Sequence, residues 1–211
     1  MYDVSGRLPV GELRPGTNVL VTGPAMSGKY DLCCALLRDG LELGDGALVV
    51  TTQNDAGSVR EAVRGPDTDT PTLGIVDCVS KERGVDPPDH DLNRFVSSPG
   101  EFTGIGMASS RLLEEFAQRN DRTRVALDSI SQLLMYADVK TVFRFLHILT
   151  GRISAAQSIG FATLDESAHD EQTVNTVRQL FDGMVQTRTG EDGRELRVVG
   201  LGGEPTAWTA F

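Results

Sequence analysis

The chain has 211 residues and a net charge of −10, from 30 acidic against 20 basic side chains. That length suits a single domain spanning residues 1–211, with a sizeable core. The acidic balance excludes nucleic acid as a purely electrostatic partner, because phosphates are repelled. No apolar run reaches the roughly 18 residues a membrane helix needs, and no signal peptide opens the chain, so the expectation is a cytoplasmic protein without membrane insertion.

Residues 1–16 read as a lead-in with turns at Leu8-Pro9 and Arg14-Pro15-Gly16. Asn18–Thr22 is short and apolar, as a buried parallel strand is. A glycine-bounded loop follows, then a helix with Leu32, Leu36, Leu37 and Leu41 at helical spacing, ended by Gly44. Ala47–Thr52 reads as a second strand, Ser58–Arg64 as a short helix and 66–71 as a polar loop. Leu73–Val79 is a third strand. Residues 80–100 read as a long exposed loop, of the kind that is functional or mobile in compact domains.

Thr103 is placed to cap a helix carrying Ile105, Met107, Leu112, Leu113 and Phe116. Arg124–Leu127 is a fourth strand that ends in Asp128. A connector at Ser131–Ala137 leads into a long helix over Val139–Ile159, and Phe161–Leu164 is a fifth strand. Glu171–Phe181 is helical. Gly183–Arg188, Glu195–Gly200 and Ala207–Phe211 read as an antiparallel meander, with a turn at 190–193. Alternating strands and helices followed by a β-rich tail imply an α/β fold, mostly parallel, flanked by helices, with a C-terminal antiparallel extension. Ligands of such sheets sit outside the carboxyl ends of the strands, which places Gly23, Gln53, Asp128 and Asp165 together.

Gly23 to Lys29 fits G-x-x-x-x-G-K, the phosphate loop of P-loop NTPases. Composition alone yields that pattern about 0.04 times in such a chain. Gly23 and Gly28 let loop N–H groups wrap a phosphate, the following helix aims its positive end at the anion, and Lys29 reaches the β- and γ-phosphates. The loop residues Gly23, Pro24, Ala25, Met26, Ser27, Gly28, Lys29 and Tyr30 are therefore the candidate nucleotide site. The last motif position is normally Ser or Thr, whose hydroxyl binds Mg²⁺. Tyr30 is too long to place its oxygen there.

Cys33, Cys34 and Cys78 lack C-x-x-C spacing and read as reduced core residues. His90, His147 and His169 have no ligand spacing to each other. Arg144 and Arg152 read as solvated, and Trp208 and Phe211 as packing residues of the last strand.

Three stretches together resemble the RecA superfamily, and within it the KaiC-like single-domain ATPases of archaea. Leu13 to Pro24 is similar to the lead-in of that family's phosphate loop. Val125 to Ser131 is similar to its second acidic motif, and Asp182 to Val185 with a charged hairpin to its C-terminal sheet. The resemblance covers nearly the whole chain and implies a RecA-like P-loop fold binding ATP or ADP. The resemblance implies Asp128 as the Mg²⁺ ligand. The scarcity of lysine (Lys29, Lys81 and Lys140 against 17 arginines) resembles the proteomes of salt-loving archaea, where surface acidity serves solvation.

Three catalytic parts depart from that family. Its active members carry a Glu pair after the second strand, one of which activates the attacking water. Here Gln53 and Asn54 stand there, and neither takes a proton. Losing a general base costs about 10²–10⁴ in rate. Asp55 and Glu166 are the carboxylates left as candidate bases, and Asp165-Glu166 sits where relatives sense the γ-phosphate. The family's last strands supply a Lys and an Arg to a neighbouring subunit, whereas Val198 to Gly203 carries neither. Such an arginine contributes about 10³–10⁵; Arg188, Arg194 and Arg197 lie nearby, and spacing does not select among them. The expectation is a KaiC-like nucleotide-binding regulatory protein with weak or no hydrolysis, acting through a protein partner or a homo-oligomer. The alternatives are a slow ATPase and an interaction module with an empty site, in which Lys29 pairs with a carboxylate such as Asp128.

Overall fold

Strand-forming apolar runs set the architecture. The computed structural model describes residues 1–64, 72–90, 92–119, 122–191 and 193–211. The polar loop expected at 66–71, and Asp192 of the turn at 190–193, lie outside the described residues. The lead-in is more ordered than its turns suggest: β1 (Tyr2–Asp3) and β2 (Glu12–Leu13) pair antiparallel. Then come β3 (Asn18–Gly23), α1 (Lys29–Glu42), β4 (Gly46–Thr51), α2 (Ala56–Arg64), β5 (Leu73–Asp77) and β6 (Asn93–Phe95). They are followed by α3 (Phe102–Arg119), β7 (Thr123–Asp128), α4 (Ile130–Tyr136), α5 (Val139–Ala155) and β8 (Ile159–Asp165). A 3₁₀ turn at Glu166–Ala168, α6 (Glu171–Arg178), β9 (Gly183–Gly190), β10 (Gly193–Val199) and β11 (Thr209–Ala210) complete the order.

Several elements differ from expectation, among them α6, which ends at Arg178 rather than Phe181, and β11, which is only Thr209–Ala210. Residues 80–100 are not all loop, because β6 adds a parallel strand beside β5. The connector after Asp128 is helical: Ser129 accepts from the Gln132 N–H and starts α4. Thr103 is not a cap but lies inside α3. The long helix stops at Ala155 rather than Ile159, because Gln157 takes a left-handed φ of 54° and Ile159 opens β8.

The main sheet has nine strands in the order β11-β10-β9-β3-β8-β7-β4-β5-β6. β9 through β6 are parallel; β10 and β11 run antiparallel. The fold is therefore α/β, with a mostly parallel sheet flanked by helices and a C-terminal antiparallel extension.

Alternation along each inner strand divides the core in two. Val19 and Val21 join Leu32 and Leu36 of α1 and Val59 and Val63 of α2 on one face. Leu20 joins Ile105 and Leu112 of α3, Val142 and Leu146 of α5 and Val177 of α6 on the other. The strand Arg124 is fully buried, a position that charge alone argues against. Its guanidinium pairs with Asp45 at 2.9 Å and donates to the carbonyls of Leu36 and Asp3, so every face of the fork is bonded.

Candidate functional site

Because seven neighbouring strands are parallel, their carboxyl ends meet at one edge. The glycine-bounded loop follows β3 there, the Gln53 turn follows β4, Asp128 ends β7 and Asp165 ends β8. β8 stands between the glycine-loop strand and the Asp128 strand, so the two are neighbours at one remove. Together they border a cleft of about 760 Å³, within the range of small-molecule sites. Ala25, Met26, Ser27, Gly28, Lys29 and Tyr30 line it, with Asp31, Gln53, Asn54, Asp128, Asp165, His169 and Arg194. Gly23 and Pro24 do not line it; their carbonyls accept from Lys29, which does.

The loop backbone is specialised. A Cβ on Gly23 would run into the side chain and carbonyl of Thr187. Gly28 has φ 86°, and a Cβ there would come within 2.8 Å of the Arg194 side chain. Met26 is also left-handed, at φ 60°, with 90% of its surface exposed, a conformation costly for a residue with a Cβ. Among the described residues none accepts a hydrogen bond from the backbone N–H of Ala25, Met26 or Gly28. The first N–H groups of α1 lack intrahelical partners as well. The loop thus gathers unsatisfied donors at a helix's positive end.

Lys29 folds back along the loop, donating to the Gly23 and Pro24 carbonyls at 2.8 and 2.5 Å. It pairs with its own loop and not with Asp128, contrary to the arrangement considered for an empty site. Burial lowers its pKa from the ordinary lysine value, and the charges of Asp165, Glu166 and Asp128 oppose that shift.

Asp128 is only 6% exposed and accepts from the Thr163 hydroxyl at 2.6 Å. Burial raises its pKa against that bond and against Lys29. The Asp128–Ser129 peptide bond is cis. Tyr30 lines the cleft but packs partly against the core cluster that holds α1, and its hydroxyl is buried beside the Cys34 thiol. Burial next to Cys34 pushes its pKa far up. The neighbouring Cys34 thiol is pushed to about 11, chiefly by burial. Ser27 is no substitute hydroxyl, because its Oγ is bonded to the Pro24 carbonyl at 2.8 Å and to Thr187 at 2.7 Å.

The candidate bases separate. Asp55 is not in the cleft lining; its carboxylate caps α2, accepting from the N–H and hydroxyl of Ser58 at 3.0 and 3.1 Å. Those bonds lower its pKa, which weakens it as a base. Asp165 lines the cleft but caps the 3₁₀ turn through Ser167. Glu166 is half-buried and outside the lining, yet close enough for its charge to act on Lys29. Gln53 donates to Ser129 Oγ at 2.6 Å, which fixes its amide at the cleft wall.

His169, which has no ligand spacing to the other histidines, stands at the cleft all the same. Its Nε2 meets Ser131 Oγ at 2.9 Å on the cleft wall. Position after the fifth strand was its only signal. Among the described residues no group of three or more His, Cys, Asp or Glu is placed to hold a metal ion. No helix among them is long and apolar enough to cross a membrane. A second depression, of about 380 Å³ between α3 and α5, is lined by apolar side chains with Arg144 and Arg152 and carries no carboxylate, histidine or thiol.

Residues 16–187 match the model of a family of unknown function, DUF7504. The chain belongs to that family. The match begins just before β3 and ends within β9, so every residue from Gly23 to His169 named above falls inside it, and Arg194 falls outside. None of the curated proteins matches the chain. An uncharacterized protein of Pyrococcus horikoshii, solved in complex with an unknown peptide, has a similar fold. It is 14% identical, with a TM-score of 0.69 over 95% of each chain.

Proposed function

We propose that the cleft binds the phosphates of ATP or ADP, and that the chain is a KaiC-like, RecA-type P-loop protein that hydrolyses nucleotide slowly or not at all. It would act through nucleotide-dependent contacts with a protein partner or another copy of itself. The carrying observation is the convergence of Lys29, the unbonded loop N–H groups and the start of α1 on one cleft, with no free carboxylate at the Gln53 turn.

The residues fit phosphate better than magnesium. The loop donors and Lys29 supply the anion site, with Lys29 leaving its carbonyls to reach the phosphates. For the metal, Asp128 is the one buried carboxylate among the described residues that line the cleft, and the hydroxyl of Tyr30 is buried. Bound nucleotide would supply the labile phosphoanhydride. Gln53 and Asn54 can orient a water by hydrogen bonding but cannot take its proton.

Titration with labelled ATP, with and without Mg²⁺, tests the reading. Binding that Lys29→Ala abolishes supports it. No binding at millimolar nucleotide, with a melting temperature indifferent to nucleotide, overturns it in favour of a pure interaction module. The slow-ATPase reading rests on Glu166, which follows the cleft-lining Asp165 and whose charge acts on Lys29. Multiple turnover that Glu166→Gln removes would favour it.

A further inference from the structure

The C-terminal hairpin carries three arginines, and the strand alternation sorts them. Arg194 shares its face of β10 with Leu196 and Val198, which pack into the core beside α1. Arg197 points to the opposite face, where it and Arg188 stack on Trp208 at 4.8 and 4.0 Å. Arg188 also pairs with Glu195, and Arg197 with the Gln186 amide, each at 2.7 Å. Of the three, only Arg194 lines the cleft. It lies over Gly28, where its Nη1 would be 3.1 Å from an added Cβ.

The partner of Arg194 is Asp31, two residues past Lys29, at 2.5 Å. Asp31 sits in the first turn of α1, where a carboxylate and a bound phosphate compete for the same positive helix end. The pair is accessible, with side chains 44% and 62% exposed, and exposed pairs are weak enough to exchange. A guanidinium fork matches phosphate oxygens as well as it matches a carboxylate.

We propose that Arg194 is a phosphate-binding residue of this site, supplied by the same chain and held by Asp31 until phosphate displaces the carboxylate. The proposal rests on the nucleotide reading above. Arg194 would supply, from within one chain, the charge that Val198 to Gly203 lacks. Asp31 would set the affinity by competing with the ligand.

The test is titration of the full-length protein with ATP and, separately, with inorganic tripolyphosphate at fixed salt. Arg194→Gln should weaken both about tenfold, and Asp31→Asn should tighten both by several-fold. Arg194→Lys should fall between wild type and Arg194→Gln. In the double variant, the gain from Asp31→Asn should vanish. Melting curves identify any variant that fails to fold, and the gain in Asp31→Asn cannot arise from misfolding. If Lys29→Ala abolishes binding while Arg194→Gln binds as wild type, Arg194 has no such role and the nucleotide reading stands. The same holds if Asp31→Asn tightens equally without Arg194. If neither wild type nor Asp31→Asn binds either probe at millimolar concentration, both readings fall.

Discussion

Two turns at the same edge of the sheet differ in what their polar groups are left to do. The loop after β3 keeps everything an anion site needs: left-handed backbone at Met26 and Gly28, donors without partners, and a lysine at its end. The turn after β4 has Gln53 tied to Ser129 and Asp55 consumed by a helix cap. Binding a phosphate needs only the first turn; cleaving it with a water also needs a proton acceptor at the second. On the proposed reading the difference would separate ligand binding from turnover on one scaffold, and each turn can be changed without touching the other.

The largest expected effect comes from breaking the first turn. Lys29→Ala should weaken ATP binding about 100-fold, because a charge-assisted contact to phosphate is lost without replacement. Equilibrium titration checks it; unchanged affinity would remove the loop from the site. Repairing the second turn comes next. Gln53→Glu puts a carboxylate where the amide now bonds Ser129 Oγ, and should raise phosphate release about tenfold, short of the 10²–10⁴ of an evolved base. Release that stays at the wild-type level, with binding intact, would mean that the water position is lost along with the base.

Asp128 sharpens the contrast through stability. Its raised pKa means the folded state holds the proton more tightly than the unfolded chain does. Ionised Asp128 therefore costs stability above its folded pKa, and the cost is relieved as pH falls through that value. Asp128→Asn keeps an acceptor for Thr163 and removes the charge. At pH 7 it should melt about 2–4 °C higher without nucleotide, lose the low-pH gain, and bind Mg²⁺-nucleotide more weakly. A lower melting point at pH 7 would show that Lys29 outweighs burial at this carboxylate.

What the chain reveals in advance follows from how signals are stored. The buried parallel strands are legible because both faces are covered, so β3 and β4 read as apolar runs, and β7 does so over Val125–Leu127 despite Arg124. Strand β6 has three half-buried residues and no such run. Helix α4 buries only Ile130 and Leu133 while exposing Met135 and Tyr136, so its face is too narrow for the period to register. The glycine loop is legible because its backbone demands fixed residue types at fixed spacing. The place of β8 between β3 and β7 is set by packing across the whole sheet, and no local spacing encodes it. Arg194 was visible only as one of three arginines, although the Leu196 and Val198 alternation already marks which of them faces α1.

The smallest expected effect tests the idle carboxylate of the second turn. Asp55 holds the Ser58 N–H at 3.0 Å, so it satisfies a donor that α2 leaves open at its start. Its depressed pKa, caused mainly by that bond, adds stability above the ordinary carboxylate range that fades as pH falls through the folded value. Asp55→Ala should cost about 1 kcal/mol, as cap removals do, with the loss shrinking toward acid pH. Asp55→Asn or Asp55→Ser should recover most of it, because either side chain caps without a full charge. Phosphate release should stay at the wild-type rate in all three. Release that falls in Asp55→Asn, where the cap survives, would return this carboxylate to the chemistry and erase the contrast between the two turns.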